Sequence, residues 1–186
     1  KSMKYVPGNS FNSGGIVDTV ELIMVPGIWG ENLHVLPDIK TGLVHIRINV
    51  RNCLQKSSRA RLGFTVAASA TGEAISVAEV ESDLPSGDSL IESQLRVESP
   101  RLWELDDPYL YLVKVKVQAE GSQSSHETSV RCGFRDFQVV NGYFHLNGKR
   151  LFLRSTHTGN HVPIGMMRAP RQAPDLLRRD LLYAKA

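Results

Sequence analysis

Catalysis by acids and bases needs carboxyl groups or imidazoles brought into opposition, so the acidic and histidine side chains are weighed first. Asp106 and Asp107 are adjacent, ahead of Pro108, and Glu79 and Glu81 share one face of a strand-like run. An exposed acidic turn and a solvated strand face account for both pairs, since surface carboxylates are common, and no calcium-loop spacing surrounds either. After Tyr143 the acids are Asp175 and Asp180, which fall on different faces of a predicted helix. His157 and His161 are four apart, the spacing that puts two zinc ligands on one helix face. The intervening Gly159 marks a loop, though, and no third ligand is evident. Cys53 and Cys132 are too few for a disulfide framework or a metal site and read as buried free thiols. No residue is therefore assigned a catalytic role, and no cofactor or metal is expected.

The elements that would position such groups follow from composition and period. The 186 residues are 41% hydrophobic and 22% charged, the balance of a soluble globular protein. The formal net charge is +3. The densest basic cluster, Arg168, Arg171, Arg178 and Arg179, carries no interleaved aromatic residue. It reads as a solvated face rather than a nucleic-acid patch. No apolar run approaches the roughly 20 residues of a membrane span, and no charged-then-apolar leader opens the chain. The compartment is left open, a bacterial periplasmic or secreted one included.

The dominant period is two. Val44, Ile46, Ile48 and Val50 alternate with His45, Arg47, Asn49 and Arg51, as in a half-buried strand. Strand-like runs also cover Leu33 to Leu36, Leu62 to Ala68, Ile75 to Val80, Leu90 to Val97, Tyr109 to Val117 and Glu127 to Phe134. Polar turns such as Ala70-Thr-Gly72 and Pro85-Ser-Gly-Asp88 separate them. About seven short strands at this spacing predict an all-β fold, an immunoglobulin-like antiparallel β-sandwich over residues 28–136. Tyr109 or Tyr111, behind Pro108, is placed to hydrogen-bond back across a corner of it. The cysteines do not occupy the inter-sheet disulfide positions of an antibody domain.

The flanks differ from this pattern. Residues 1–27 hold a single predicted strand, Val17 to Val25, before Pro26-Gly27. Residues 137–186 open with two predicted strands, Tyr143 to Leu146 and Arg150 to Arg154, joined by Asn147-Gly148, a strong hairpin signal. An irregular stretch, Ser155 to Pro174, precedes a predicted helix over Asp175 to Ala186 whose leucines share one face. Both ends read as sectioned through a domain.

In their order these signals resemble glycoside hydrolase family 2, the group that includes β-galactosidases, β-glucuronidases and β-mannosidases. Asn12 to Leu22 looks like the last strand of that family's sugar-binding jelly-roll. Pro100 to Tyr111 is similar to its P-x-L-W … P-Y-L-Y entry to a late sandwich strand. Gly133-Phe-Arg135 matches the G-F-R that ends the sandwich, and Gly142 to Arg154 matches the G-x-F-x-L-N-G-K run into the first barrel strand. Ser155 to Pro163 departs from the G-V-N-x-H-E type segment that galactosidase and glucuronidase members usually carry there.

The resemblance implies three pieces. Residues 1–27 would end the jelly-roll, 28–136 form the sandwich, and 137–186 begin a (β/α)8 catalytic barrel. It implies a parent enzyme that hydrolyses O-glycosyl bonds with retention, one carboxylate attacking the anomeric carbon while a second protonates the leaving oxygen. Both family carboxylates lie on later barrel strands, so this segment is expected to be a structural spacer, inactive alone. Its partners would be the rest of the polypeptide and the parent's carbohydrate substrate, with neither nucleic acid nor membrane. His157, Asn160 and His161 follow a barrel strand, where they could line the sugar site or merely order a loop. Trp29 and Trp103 could stack on a sugar ring, but their apolar neighbours favour packing. The competing reading is a stand-alone carbohydrate-binding or adhesion sandwich, which would need an exposed row of aromatic rings on a sheet face.

Overall fold

The period-two segments build two antiparallel sheets, as seen in a computed structural model that describes residues 20–154 and 182–183. The strands are β1 (Ile28–Pro37), β2 (Leu43–Asn52), β3 (Ser58–Ala68), β4 (Ala74–Leu84), β5 (Gly87–Arg96), β6 (Tyr111–Ala119) and β7 (Ser125–Cys132). One sheet has the order β1-β2-β5 and the other β4-β3-β6-β7. This is an immunoglobulin-like sandwich with three strands against four, β4 staying beside β3 instead of joining β5. Contacts divide the chain into two units, Met24–Phe152 and the terminal segments Lys1–Ile23 with Leu153–Ala186; the sandwich belongs to the first.

The alternation in the sequence is the alternation of burial. Val44, Ile46, Ile48 and Val50 of β2 face Leu62, Phe64 and Val66 of β3 and Val113, Val115 and Val117 of β6, all buried in one core. Burial of each such side chain contributes about 1.5–3 kcal/mol, so these three central strands carry most of the stability. The intervening residues hold ion pairs on the outer faces: Arg47–Glu92 at 2.6 Å, Arg51–Asp88 at 2.7 Å and Arg59–Glu81 at 2.8 Å. Exposed pairs of this kind are worth at most about 1 kcal/mol each, and their role is to fix register and keep the faces wet. Asn52, the buried polar side chain, is fully satisfied. Its amide nitrogen donates to the carbonyls of Lys56 and Leu84, and its oxygen accepts the N–H of Leu54.

A second, smaller sheet follows the sandwich: β8 (Phe137–Val140), β9 (Tyr143–Leu146) and β10 (Lys149–Arg150), in the order β10-β9-β8. The Asn147-Gly148 hairpin is present, with φ of 50° and 79°, the paired positive values of a type I′ turn. Its second strand ends at Arg150 rather than running on to Arg154. The strand β8 and a second turn of the same geometry, Asn141-Gly142 at 50° and 80°, are additions to the sequence reading. Residues 20–25, the described part of the strand expected over Val17 to Val25, pair with no described residue. Of the helix expected over Asp175 to Ala186, Leu182 and Tyr183 are described, and both are helical.

Candidate functional site

Three of the sequence stretches singled out above come together at one end of the sandwich. The loop after β5 brings Leu102 beside Phe134 in an isolated parallel bridge, and the Trp103 N–H donates to the Phe134 carbonyl at 2.9 Å. Gly133 lies so close to the indole that a Cβ there would stand 2.9 Å from the Trp103 Cβ and 3.1 Å from its Cδ1. Any side chain would displace the tryptophan. The Arg135 guanidinium sits over the Trp103 ring at 5.2 Å from its centroid, a cation–π contact.

The hairpin turn completes the cluster. The Asn147 side-chain amide donates to the Trp103 carbonyl at 3.0 Å, while its oxygen accepts the Asp136 N–H at 2.9 Å. The Asn147 backbone N–H in turn donates to the Asp136 carbonyl at 2.8 Å. Lys149 and Glu104 add a surface ion pair at 3.2 Å across the same seam. Trp103, Gly133-Phe-Arg135 and Asn147 thus form a junction between the sandwich and the small sheet, beside an open groove lined by Glu104 to Asp106 on one side and by Leu146 and Lys149 to Leu151 on the other.

A second brace orders the approach to this junction. Tyr111, 3% exposed, accepts the Arg101 N–H on its hydroxyl at 2.9 Å. Arg101 also holds Asp107 through a two-pronged pair, both contacts at 2.7 Å, and lies over the Tyr109 ring. Of the two tyrosines weighed from sequence, Tyr111 makes the corner bond.

The acids behave as structural groups. Glu79 and Glu81 do not face each other but Arg59 and Arg61 on β3. The hydrogen bond from Arg59 holds the Glu81 carboxyl below the usual carboxylate range, and Arg51 does the same to Asp88. A general acid needs the opposite shift, upward through burial or a neighbouring negative charge. Asp106 is exposed, and Asp107 is engaged by Arg101. Among the described residues no group of His, Cys, Asp and Glu could hold a metal ion.

Trp103 is packed as described, and Trp29 meets His126 edge to face at 6.1 Å between ring centroids. Both are half-buried. Exposed aromatic rings among the described residues are Phe137, Tyr143, Phe144, Phe152 and Tyr183, none of them on β1 to β7. His157, Asn160 and His161 lie outside the described residues. The sequence reading missed Asn147 as a side chain. Its dipeptide flagged the turn, but nothing local signals a partner at Trp103, 44 positions away.

Comparison with known proteins places the sandwich. Residues 31–135 match the model of the family Glycosyl hydrolases family 2. The chain is 28% identical over 147 residues to a β-galactosidase of Halalkalibacterium halodurans, an alignment covering 77% of this chain and 14% of that protein. It is 40% identical over 71 residues to a putative β-glucuronidase of Formosa agariphila, covering 37% of this chain and 8% of that protein. Among solved structures, the Parabacteroides merdae β-glucuronidase with glycerol in its active site superposes with a TM-score of 0.62. The identity is 23%, over 87% of this chain and 20% of that one. A glycosyl hydrolase family 2 member from Bacteroides cellulosilyticus gives 0.60 at 22% identity, over 67% of this chain and 18% of that one. The alignments to the β-galactosidases of H. halodurans and Oenococcus oeni each span 14% of the relative's length.

Proposed function

The chain belongs to glycosyl hydrolase family 2, and from that premise we propose that it is the spacer segment of a retaining glycosidase. In this reading residues 1–27 end a sugar-binding jelly-roll, 28–136 are the sandwich, and 137–186 begin the catalytic barrel. The sandwich holds its two neighbours at a fixed separation and contributes no carboxyl group to the chemistry. The observation that carries this is the junction at Trp103, Gly133 and Asn147, which joins the end of the sandwich to the small sheet that follows it. Two further features agree. The outer faces of the sandwich carry cross-strand ion pairs in place of aromatic rings, and its acids that pair with arginine stay ionised. The substrate class is a β-glycoside, as the names of the β-galactosidase and β-glucuronidase relatives suggest. His157, Asn160 and His161 would reach the sugar hydroxyls from the loop after the first barrel strand.

The test is an assay of the purified 186-residue chain with aryl β-galactoside and aryl β-glucuronide substrates. The expected result is no turnover above buffer, and no heat of binding when free galactose or glucuronate is titrated in. Hydrolysis that survives repurification would overturn the spacer reading, and saturable sugar binding to β1–β7 would favour a carbohydrate-binding module in its place.

A further inference from the structure

The small sheet contains two turns with the same sequence and the same backbone. Asn141-Gly142 joins β8 to β9 and Asn147-Gly148 joins β9 to β10, with φ at the asparagines of 50° in both. Asparagine is suited to such a position because its short polar side chain tolerates the left-handed region. Turn geometry alone therefore accounts for both residues equally. Their side chains differ. Asn141 is exposed and makes no side-chain hydrogen bond to any described residue, whereas Asn147 is half-buried and uses both ends of its amide. One end accepts the Asp136 N–H, at the point where the chain leaves the sandwich; the other donates to the Trp103 carbonyl, on the loop that follows β5.

We propose that Asn147 is a lock as well as a turn residue: a positioning residue that fixes the small sheet against the sandwich. Between Phe134, buried in the core, and Phe137, the first residue of β8, only Arg135 and Asp136 span the gap. So short a link has free φ and ψ angles and would let β8–β10 swing unless something beyond the backbone held it. Asn147, in the turn between β9 and β10, supplies that restraint by bonding to the link itself at Asp136 and across it to the Trp103 carbonyl on the sandwich side. The Trp103 carbonyl it reaches is itself held, because the Trp103 N–H is bonded to Phe134 and its ring is trapped between Gly133 and Arg135. The surface pair Lys149–Glu104 lies across the same seam but is exposed and adds little. That this lock sets the direction of the following domain rests on the spacer reading above; that it immobilises the small sheet does not.

The variants separate the turn from the lock. Asn147→Gly keeps a residue that favours positive φ and removes both side-chain bonds, Asn147→Asp keeps only the acceptor arm, and Asn141→Gly is the matched control. Residual dipolar couplings measured on the whole chain report whether β1–β7 and β8–β10 share one orientation, a readout that a purely structural loss of stability does not move. Wild type and Asn141→Gly are expected to fit a single alignment tensor. Asn147→Gly is expected to need two, and to lose amide protection in β9 by about tenfold or more while β2, β3 and β6 keep theirs. Asn147→Asp should fall between. If Asn147→Gly keeps one tensor and the protection of Asn141→Gly, the lock is wrong. If the lock opens in this chain but the same substitution leaves the activity of the longer enzyme unchanged, the lock stands and the spacer reading falls.

Discussion

The hydroxyl of Tyr111, at the start of β6, accepts the backbone N–H of Arg101 at 2.9 Å, ten positions earlier in the chain. The bond closes the loop between β5 and β6 over the end of the core. It leaves the tyrosine ring packed edge to face against both Tyr109 and Phe134, with centroids 5.0 and 5.2 Å away. Tyr111→Phe keeps that packing and strands one partly buried N–H. We expect a loss of about 1–3 kcal/mol in urea unfolding with no change in the midregion of the far-ultraviolet spectrum. An unchanged unfolding midpoint would mean that water replaces the hydroxyl at no cost.

Gly133 and Gly63 make opposite predictions from the same change. At Gly133 a Cβ meets the Trp103 Cβ at 2.9 Å, in a seam with no room to relax, so Gly133→Ala should destabilise by about 1–3 kcal/mol and perturb the indole emission. Gly63 lies mid-strand in β3 with nothing within 4 Å of where a Cβ would stand. Gly63→Thr should therefore stabilise by up to about 1 kcal/mol, because a β-branched residue suits a pleated surface and glycine does not. Thermal melts of the two variants should shift in opposite directions; a common direction would contradict the packing described for one of them.

The sandwich was legible where burial has contrast. From Val44 to Arg51 of β2 every inward residue is apolar and every outward one polar, so the run declares both strand and face. In β4 the inward positions Ser76, Ala78 and Ser82 are small or polar and half-buried. The pattern there fades, and the legible alternation ends at Val80 whereas the strand runs to Leu84. The strand β8 is exposed at all of its residues and apolar at three, so it shows no period at all. The turn behind it was nevertheless written in the sequence: Asn141-Gly142 is the dipeptide that identified the next hairpin. Tyr111 could be narrowed to one of two residues by the corner argument. The junction could not be read, because Trp103, Gly133 and Asn147 are joined only by contacts distant along the chain.

Stability should fall on the acid side, and salt should weaken the effect. Asp38 is held below the ordinary carboxylate range chiefly by the Thr41 hydroxyl and the Lys40 N–H; Glu81 and Asp88 are held there by Arg59 and Arg51. A carboxyl whose folded pKa is depressed binds protons more readily when unfolded. Its contribution is therefore present above its unfolded value and lost as pH falls through the folded one. The decline should begin below about pH 4.5, the upper end of the ordinary range. Raising the salt should shrink the part due to Glu81 and Asp88, which are paired with arginines on the surface. Arg51→Gln should lower stability at neutral pH and remove part of the acid slope; a slope left intact would mean that Asp88 is not among the groups that set it.

On the alkaline side the groups and the sign reverse. Cys132 opposes Tyr111 across the β6–β7 pair, and burial pushes its thiol up to about 11 and the Tyr111 phenol above its ordinary value. Both groups then hold their protons more tightly in the folded chain than in the unfolded one. Their contribution is complete below the unfolded values and drains away as pH rises toward the folded ones, so stability should drop between about pH 9 and 11. Cys132→Val removes the thiol from a site already lined by Val130 and the core, and should flatten that drop without abolishing it, since Tyr111 remains. The same burial predicts unequal reactivity. The thiolate is the nucleophile, so at pH 8 a disulfide reagent should modify exposed Cys53 promptly and Cys132 only slowly. Equal labelling rates for the two, together with an alkaline slope unchanged by Cys132→Val, would mean that the β6–β7 edge opens far more readily than its pairing implies.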